Sequence, residues 1–378
     1  MPGRSTSCHS SVEGNNHVEV TKETLDTPAL CMDLDAMEAN IRKMVQACDD
    51  NNIGWRPHSK CHKSAAIGQK LIEAGALGIT CAKLGEAEVL AAGGIEDLLI
   101  ANLVVGPTKM QRLASLCKVA RPIVCIDHVD QAIPMSAVME SEGQVVRVIF
   151  EVDIGLARVG VQPGEPLLEL AAQVAPLPGL EVVGIMGYEG HLLTIPDMAE
   201  KKEKIGLALE VLVDCARSMK EAGFCCDIVS CGGTGSYAFS CSHPGITEIQ
   251  AGGAIMMDQF YRKQCNVQDL ENALTVLATV VSRPAPDRAI IDAGRKTFHA
   301  DSEPAVVVGR DDIQVVRLSA EHGALHLDPS AQDLKIGDRL EIIPGYSDMT
   351  TVLHDQFYGF RGDQLEVIWP LEGRGRLQ

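Results

Sequence analysis

No stretch of the sequence approaches the roughly 18 consecutive apolar residues that a membrane-crossing helix requires, so no spanning segment is expected. No Cys-x-x-Cys pair occurs, although there are 13 cysteines. They are scattered through segments that read as core, including Cys31, Cys81 and Cys125, which suits reduced buried thiols in a cytoplasm better than a disulfide framework. Met1 to Asn16 is polar, rich in Ser and Gly and without an apolar centre, so it makes a poor secretory signal. Residues 1–20 are expected to form a disordered tail. Positive charge is also in short supply: 33 Lys and Arg against 51 Asp and Glu leave a net charge of −18, which argues against nucleic acid or an anionic membrane as partner.

What is present suits a folded chain of two domains. Of the 378 residues, 46% are hydrophobic and 22% charged, and the length allows a barrel-sized domain plus a second one. Ala29 to Leu34 reads as a strand, followed by a helix capped by Asp35 with Met37, Ile41, Met44, Val45 and Cys48 on one face. From there apolar β-branched runs alternate with helical periods. The expected strands are 53–56, 78–81, 98–101, 122–126, 145–152, 180–185, 227–230 and 248–250. Helices between them stop at Gly75 and at Gly93-Gly94. Eight such units over residues 51–270 predict a TIM (β/α)8 barrel. Helical periods then vanish, and short β runs separated by turn signals predict an all-β domain over 271–378. Residues 21–50 are expected to link to that domain, the strand at 29 joining its sheet.

Chemistry in such a barrel belongs at the C-terminal ends of its strands. After the first strand comes Arg56-Pro57-His58-Ser59-Lys60-Cys61-His62-Lys63. A lysine held in a cleft there can lose its proton and form an imine with an aldehyde, which makes Lys60 the candidate nucleophile. A solvated surface loop is the other reading of the run. The fifth strand brings Glu151, Asp153 and Arg158 to the rim, and the sixth brings Tyr188, Glu189 and His191. The seventh and eighth run into Gly232-Gly233-Thr234-Gly235 and Gly252-Gly253. With a helix N-terminus behind them, these turns can cradle a phosphate. An amine across the mouth from such a cradle describes a site for pyridoxal 5′-phosphate.

The motifs RPHSKCHKS, EVDIGLARVG, GYEGH, SCGGTGS, SAEHG and Pro344-Gly345-Tyr346-Ser347-Asp348 together resemble the D-threonine aldolase and eukaryotic-type D-serine dehydratase family of fold-type III pyridoxal phosphate enzymes. The resemblance runs in order over roughly residues 25 to 375. It implies a barrel of the alanine racemase type with a β domain appended, and a homodimer whose subunits share the active site. It puts Lys60 on the lysine bonded to the cofactor, Arg158 and Tyr188 around the cofactor ring, and Gly233, Thr234 and Gly235 on the phosphate loop. His58, Gly252 and Gly253 are further candidate contacts, although His58 could equally pack or hydrogen-bond to fix its loop. Arg158 could instead pair with Asp153 or Glu151, Glu189 could be a rim carboxylate without a task, and His322 could sit in an exposed turn.

One departure bears on the reaction. The family's C-terminal pattern is Pro-Gly-His-Cys-Asp, in which the histidine and a nearby cysteine or aspartate bind a divalent metal. Here Tyr346 and Ser347 replace the first two, Asp348 alone is kept, and His354 is recruited only if the loop folds back. One carboxylate beside a neutral phenol should hold metal weakly or not at all. Protein groups, with His191, Tyr346 and His322 as candidates, would then do the acid–base work. The expected activity is that of a lyase splitting D-configured β-hydroxy amino acids into glycine and an aldehyde. The alternatives are a racemase or epimerase using Lys60 and Tyr346 as opposed bases, a D-serine or D-hydroxyaspartate dehydratase, and a non-catalytic pyridoxal phosphate carrier.

Overall fold

The computed structural model describes residues 20–378, so the expected disordered tail, save its last residue, lies outside the described residues. Strand β1 (Ala29–Asp33) leads into helix α1 (Leu34–Asp49). The cap of α1 is Asp33, not Asp35: its Oδ1 accepts the Ala36 N–H at 3.0 Å. Chain direction changes one residue earlier than the apolar run suggests, and Asp33 is the first side chain there able to take an orphan helix N–H.

Eight parallel strands follow: β2 (Gly54–Trp55), β3 (Ile79–Cys81), β4 (Asp97–Leu103), β5 (Arg121–Ile126), β6 (Val146–Glu151), β7 (Leu180–Met186), β8 (Ile228–Cys231) and β9 (Glu248–Ile249). Between them run α2 (Ala65–Glu73), α3 (Leu84–Ala92), α4 (Pro107–Cys117), α5 (Val129–Ser141), α6 (Glu165–Val174), α7 (Met198–Glu221) and the short α8 (Tyr237–Ser240). The sheet order is β2-β9-β8-β7-β6-β5-β4-β3. A parallel bridge between His58 and Thr80 and the Leu77 N–H to Trp55 O bond (2.8 Å) join the two ends into a barrel. Strands covered on both faces read as continuous apolar runs, as in Ile123 to Ile126. Leu99, Ile123, Cys125, Ile149, Val183 and Met186 pack together as a small cluster apart from the main core, and the Cys125 thiol lies against Met186 Sδ.

The chain then builds a second sheet from β10 (Leu274–Ala285), β11 (Arg288–Ile291), β12 (Val306–Val307), β13 (Ile313–Leu318), β14 (Gly323–Leu327), β15 (Arg339–Ile343), β16 (Gln356–Arg361) and β17 (Gln364–Pro370), with helix α9 (Ser347–Thr351) between β15 and β16. Strand β10 pairs with both β11 and β15, closing a six-stranded ring in the order β10-β11-β14-β13-β12-β15. Strand β1 adds to it, antiparallel to β10 and parallel to β16. The strand at 29 therefore does join the later sheet. Strand β14 was hidden at the sequence level because only Leu325 and Leu327 mark its inner face, too few positions to show a period.

Candidate active site

The basic run after β2 is not a solvated loop. Arg56 is buried and bound by Glu248 and Asp97, Lys63 is buried against Glu86, and His62 is fully enclosed. Burial pulls the His62 pKa down to about 3, so its ring is neutral. Lys60 differs. Its side chain is 38% exposed, and Nζ lies 3.1 Å from Asp348 Oδ2. That carboxylate raises the lysine pKa above its ordinary value, with burial working in the opposite direction. Residues Ser59–Cys61 form a single 3-10 turn. His58 caps it, its Nδ1 accepting the Lys60 backbone N–H at 3.2 Å. Loss of water around the imidazole, then the Lys60 charge, hold His58 well below the usual histidine range and keep it neutral.

Lys60 opens on a cavity of about 380 Å³ at the C-terminal mouth of the barrel, within the size range of small-molecule sites. His58, Gly233, Thr234, Gly252 and Gly253 also line it. A Cβ on Gly252 would overlap the His58 carbonyl oxygen, so only glycine lets this loop pass the Lys60 loop. A Cβ on Gly233 would come 3.0 Å from the Tyr188 hydroxyl. Thr234 is 2% exposed, and its hydroxyl has no hydrogen-bond partner among the described residues. Nor do the backbone N–H groups of Thr234, Gly235, Gly252 and Gly253 have one there. A buried hydroxyl beside unengaged N–H groups is costly unless an acceptor arrives, and a phosphate supplies acceptor oxygens. The helix behind the loop, α8, has only four residues. The cradle therefore rests on local N–H groups and not on a helix dipole.

Across the mouth, β6 stands four places from β2 in the eight-membered order and so lies opposite it. Glu151 at its end is buried, and burial raises its carboxyl pKa. Oε2 has no partner among the described residues, whereas Arg158 approaches Oε1 at 3.4 Å. Arg158 thus pairs with Glu151, its guanidinium 5.8 Å from the centre of the Tyr188 ring. Asp153 has another task. Its Oδ1 accepts the N–H groups of Gly155 and Ala157, both at 3.0 Å, and shapes the turn that presents Arg158. Tyr188 lines the cavity, and burial pushes its phenol up to about 12.

The appended domain reaches this mouth through residues 344–348. The Tyr346 hydroxyl donates to Asp348 Oδ2 at 2.9 Å, the same oxygen that faces Lys60. Burial, then the Asp348 charge, raise the phenol pKa, so Tyr346 keeps its proton. Asp348 Oδ1 is buried without a partner among the described residues. Phe260 and Tyr261 pack edge-on against the Tyr346 ring at centroid distances of 5.2 and 6.0 Å. Among the described residues no group of three or more His, Cys, Asp or Glu side chains is arranged to hold a metal ion. The donors here do not fit one: a single carboxylate is shared with an ammonium and a protonated phenol. His354 turns away, its Nε2 lying 2.7 Å from Thr297 O.

Lys60, His58, Arg158, Tyr188, Gly233, Thr234, Gly252 and Gly253 come together around the cavity, with Tyr346 and Asp348 beside Lys60. Tyr346 and Asp348 adjoin Lys60 without lining the cavity, and three further candidates also fall outside its lining. His191 is exposed on a 3-10 turn, its ring against Gly155. His322 is exposed in the turn before β14, where its carbonyl accepts the Ser319 N–H at 2.9 Å. Gly235 is not in the lining, and a Cβ added to it would meet Cys265 Sγ at 2.9 Å. Motif membership brought both histidines into consideration, and only the loop geometry separates them from the mouth. Tyr261, Asn102 and Gln250 line the cavity without any sequence signal to mark them.

The chain is similar to known proteins along most of its length. The pattern of the alanine racemase N-terminal domain matches residues 32–259, and that of the serine dehydratase domain matches residues 273–360. A D-threonine aldolase of Arthrobacter sp. is 37% identical, with 93% of each chain covered. A 3-hydroxy-D-aspartate aldolase of Paracoccus denitrificans is 36% identical, again with 93% of each chain covered. The crystal structure of D-threonine aldolase from Filomicrobium marinum superposes with a TM-score of 0.92 at 35% identity, covering 97% of this chain and all of the other.

Proposed function

The chain belongs to the D-threonine aldolase and D-serine dehydratase family of fold-type III enzymes, and on that premise we propose that its cavity binds pyridoxal 5′-phosphate and that it is a lyase cleaving D-configured β-hydroxy amino acids, such as D-threonine, into glycine and an aldehyde. The observation that carries this reading is the placing of one amine, Lys60, across a single cavity from a cradle of unengaged N–H groups and the partnerless Thr234 hydroxyl. When bound, the cofactor holds the substrate nitrogen and withdraws electrons from the bonds at Cα.

The protein's own groups do the rest. Asp348 Oδ2 lies beside the Lys60 ammonium and favours its charged form, so the amine is freed by losing its proton to water while the carboxylate stays ionised. A substrate β-oxygen is three bonds from the amino nitrogen and stays within about 4 Å of it by standard bond lengths. Asp348, next to Lys60, is therefore in reach of the β-hydroxyl. Its carboxylate accepts the β-hydroxyl proton as the Cα–Cβ bond breaks, and Tyr346 holds it in place through Oδ2. Because Tyr346 stays protonated, it serves poorly as the second base a racemase needs. Arg158 and Tyr188 orient the ring end of the site, and the domain carrying Tyr346 narrows the mouth against water.

This reading assigns the β-hydroxyl proton to protein groups and not to a metal. It also takes the enzyme as a cytoplasmic homodimer, supported by the free thiols of the described cysteines and by the family pattern. Incubation with D-threonine should yield glycine and acetaldehyde at a rate that survives a chelator, and Lys60→Ala should abolish it. Recovery of the L-isomer would point to a racemase, and 2-oxobutanoate to a dehydratase. Either one as the main product overturns the lyase reading.

A further inference from the structure

Glu189 stands in the Tyr188-Glu189-Gly190-His191 segment beyond β7, yet it is neither a rim carboxylate nor part of the cavity lining. It is fully buried and lies beneath the loop that carries Thr234. Ser236 Oγ donates to Glu189 Oε1 at 2.5 Å, Ser240 Oγ to the same oxygen at 2.7 Å, and the Gly232 N–H to Oε2 at 3.4 Å. Ser236 Oγ in turn accepts the Gly233 N–H at 3.1 Å. An ionised carboxylate only accepts hydrogen bonds, so it fixes the protons of both serine hydroxyls toward itself. That leaves a Ser236 lone pair for Gly233. The N–H groups of Gly232 and Gly233 are thereby drawn inward, while the N–H and hydroxyl of the next residue, Thr234, stay unengaged beside the cavity.

We propose that Glu189 is a positioning residue for the phosphate end of the site: by holding Ser236, Ser240 and Gly232 from below, it makes the loop present Thr234 to a phosphate group. This inference rests on the reading that the cavity takes pyridoxal 5′-phosphate. Glu189 itself meets no ligand, and its effect is confined to the phosphate. An isosteric glutamine has one acceptor oxygen where the carboxylate has two, so it cannot serve both hydroxyls and the Gly232 N–H.

The test is titration of the apoprotein with pyridoxal 5′-phosphate and with pyridoxal, which lacks the phosphate, followed by visible absorbance. Wild type should bind the phosphorylated form much more tightly. Glu189→Gln should lose about tenfold or more in affinity for the phosphorylated form and less than about twofold for pyridoxal. Ser240→Ala removes one donor, should lower the same ratio by about threefold, and decides the matter if Glu189→Gln does not fold. A wild type with no preference for the phosphorylated form sinks the cofactor reading and this inference with it. A wild type with the preference, but variants that keep the ratio or lose both ligands equally, overturns the positioning role alone.

Discussion

Of the basic side chains between residues 56 and 63, Lys60 is the one whose charge reaches the cavity, because Arg56 and Lys63 are held by buried carboxylates and His58 and His62 are kept neutral. That sorting depends on partners that lie 23 and 192 residues away in sequence, Glu86 and Glu248, which is why the run by itself could equally be read as a solvated loop. Two substitutions test the site at this scale. Tyr346→His places an imidazole beside Asp348, two good metal donors where there is now one. Manganese should then raise activity and a chelator should lower it, whereas the wild type responds to neither. A variant indifferent to manganese would count against the role given to residue 346. Gly252→Ala puts a methyl group onto the His58 carbonyl. The Lys60 loop must shift, and cofactor affinity by absorbance titration should fall at least about tenfold. Unchanged affinity would mean that the two loops do not need their close approach.

At the scale of elements, the loop carrying Tyr346 and Asp348 is set by its anchorage to the barrel. Asp258 is fully buried; its Oδ2 accepts the Ser347 N–H at 2.7 Å and its Oδ1 the Tyr261 N–H at 2.8 Å. Gln259 and Phe260 donate to Pro344 and Gly345 at 3.2 and 2.9 Å. Burial lifts the Asp258 carboxyl to about 6, although its hydrogen bonds oppose the rise. The folded state then binds this proton more tightly than the unfolded chain. The stabilising contribution is fully present below the unfolded value of 3.8 and lost as pH rises through about 6. Lowering the pH from about 8 to about 5 should therefore move the Tm difference between wild type and Asp258→Asn in favour of wild type. A pH-independent difference would contradict the assignment. Nothing in the sequence around Asp258 marks it, since the partner that ties it to the appended domain, Ser347, lies 89 residues away. The barrel strands were legible because burial on both faces leaves a continuous apolar run between helical periods. Strand β14 and the true cap of α1 were not, because each depends on one or two side chains.

For the whole molecule, the two barrels are interlocked by a strand out of sequence order. Strand β1 precedes the parallel barrel in the chain but lies between β10 and β16 in the other sheet, and α1 crosses back to pack on the first barrel. The sequence pattern carried the parallel barrel, the all-β domain after it and the position of the amine, but not the closing of that second domain into a ring. The opposition of Lys60 to Glu151, the staple under the phosphate loop and the Tyr346–Asp348–Lys60 contact appear only when strands distant in sequence are brought to one mouth. The most direct test of that mouth is reduction of the cofactor-loaded enzyme with borohydride, proteolysis, and mass analysis of the peptides. The cofactor mass should be found on Lys60 and lost in Lys60→Ala; its attachment to another lysine, or to none, would contradict the account.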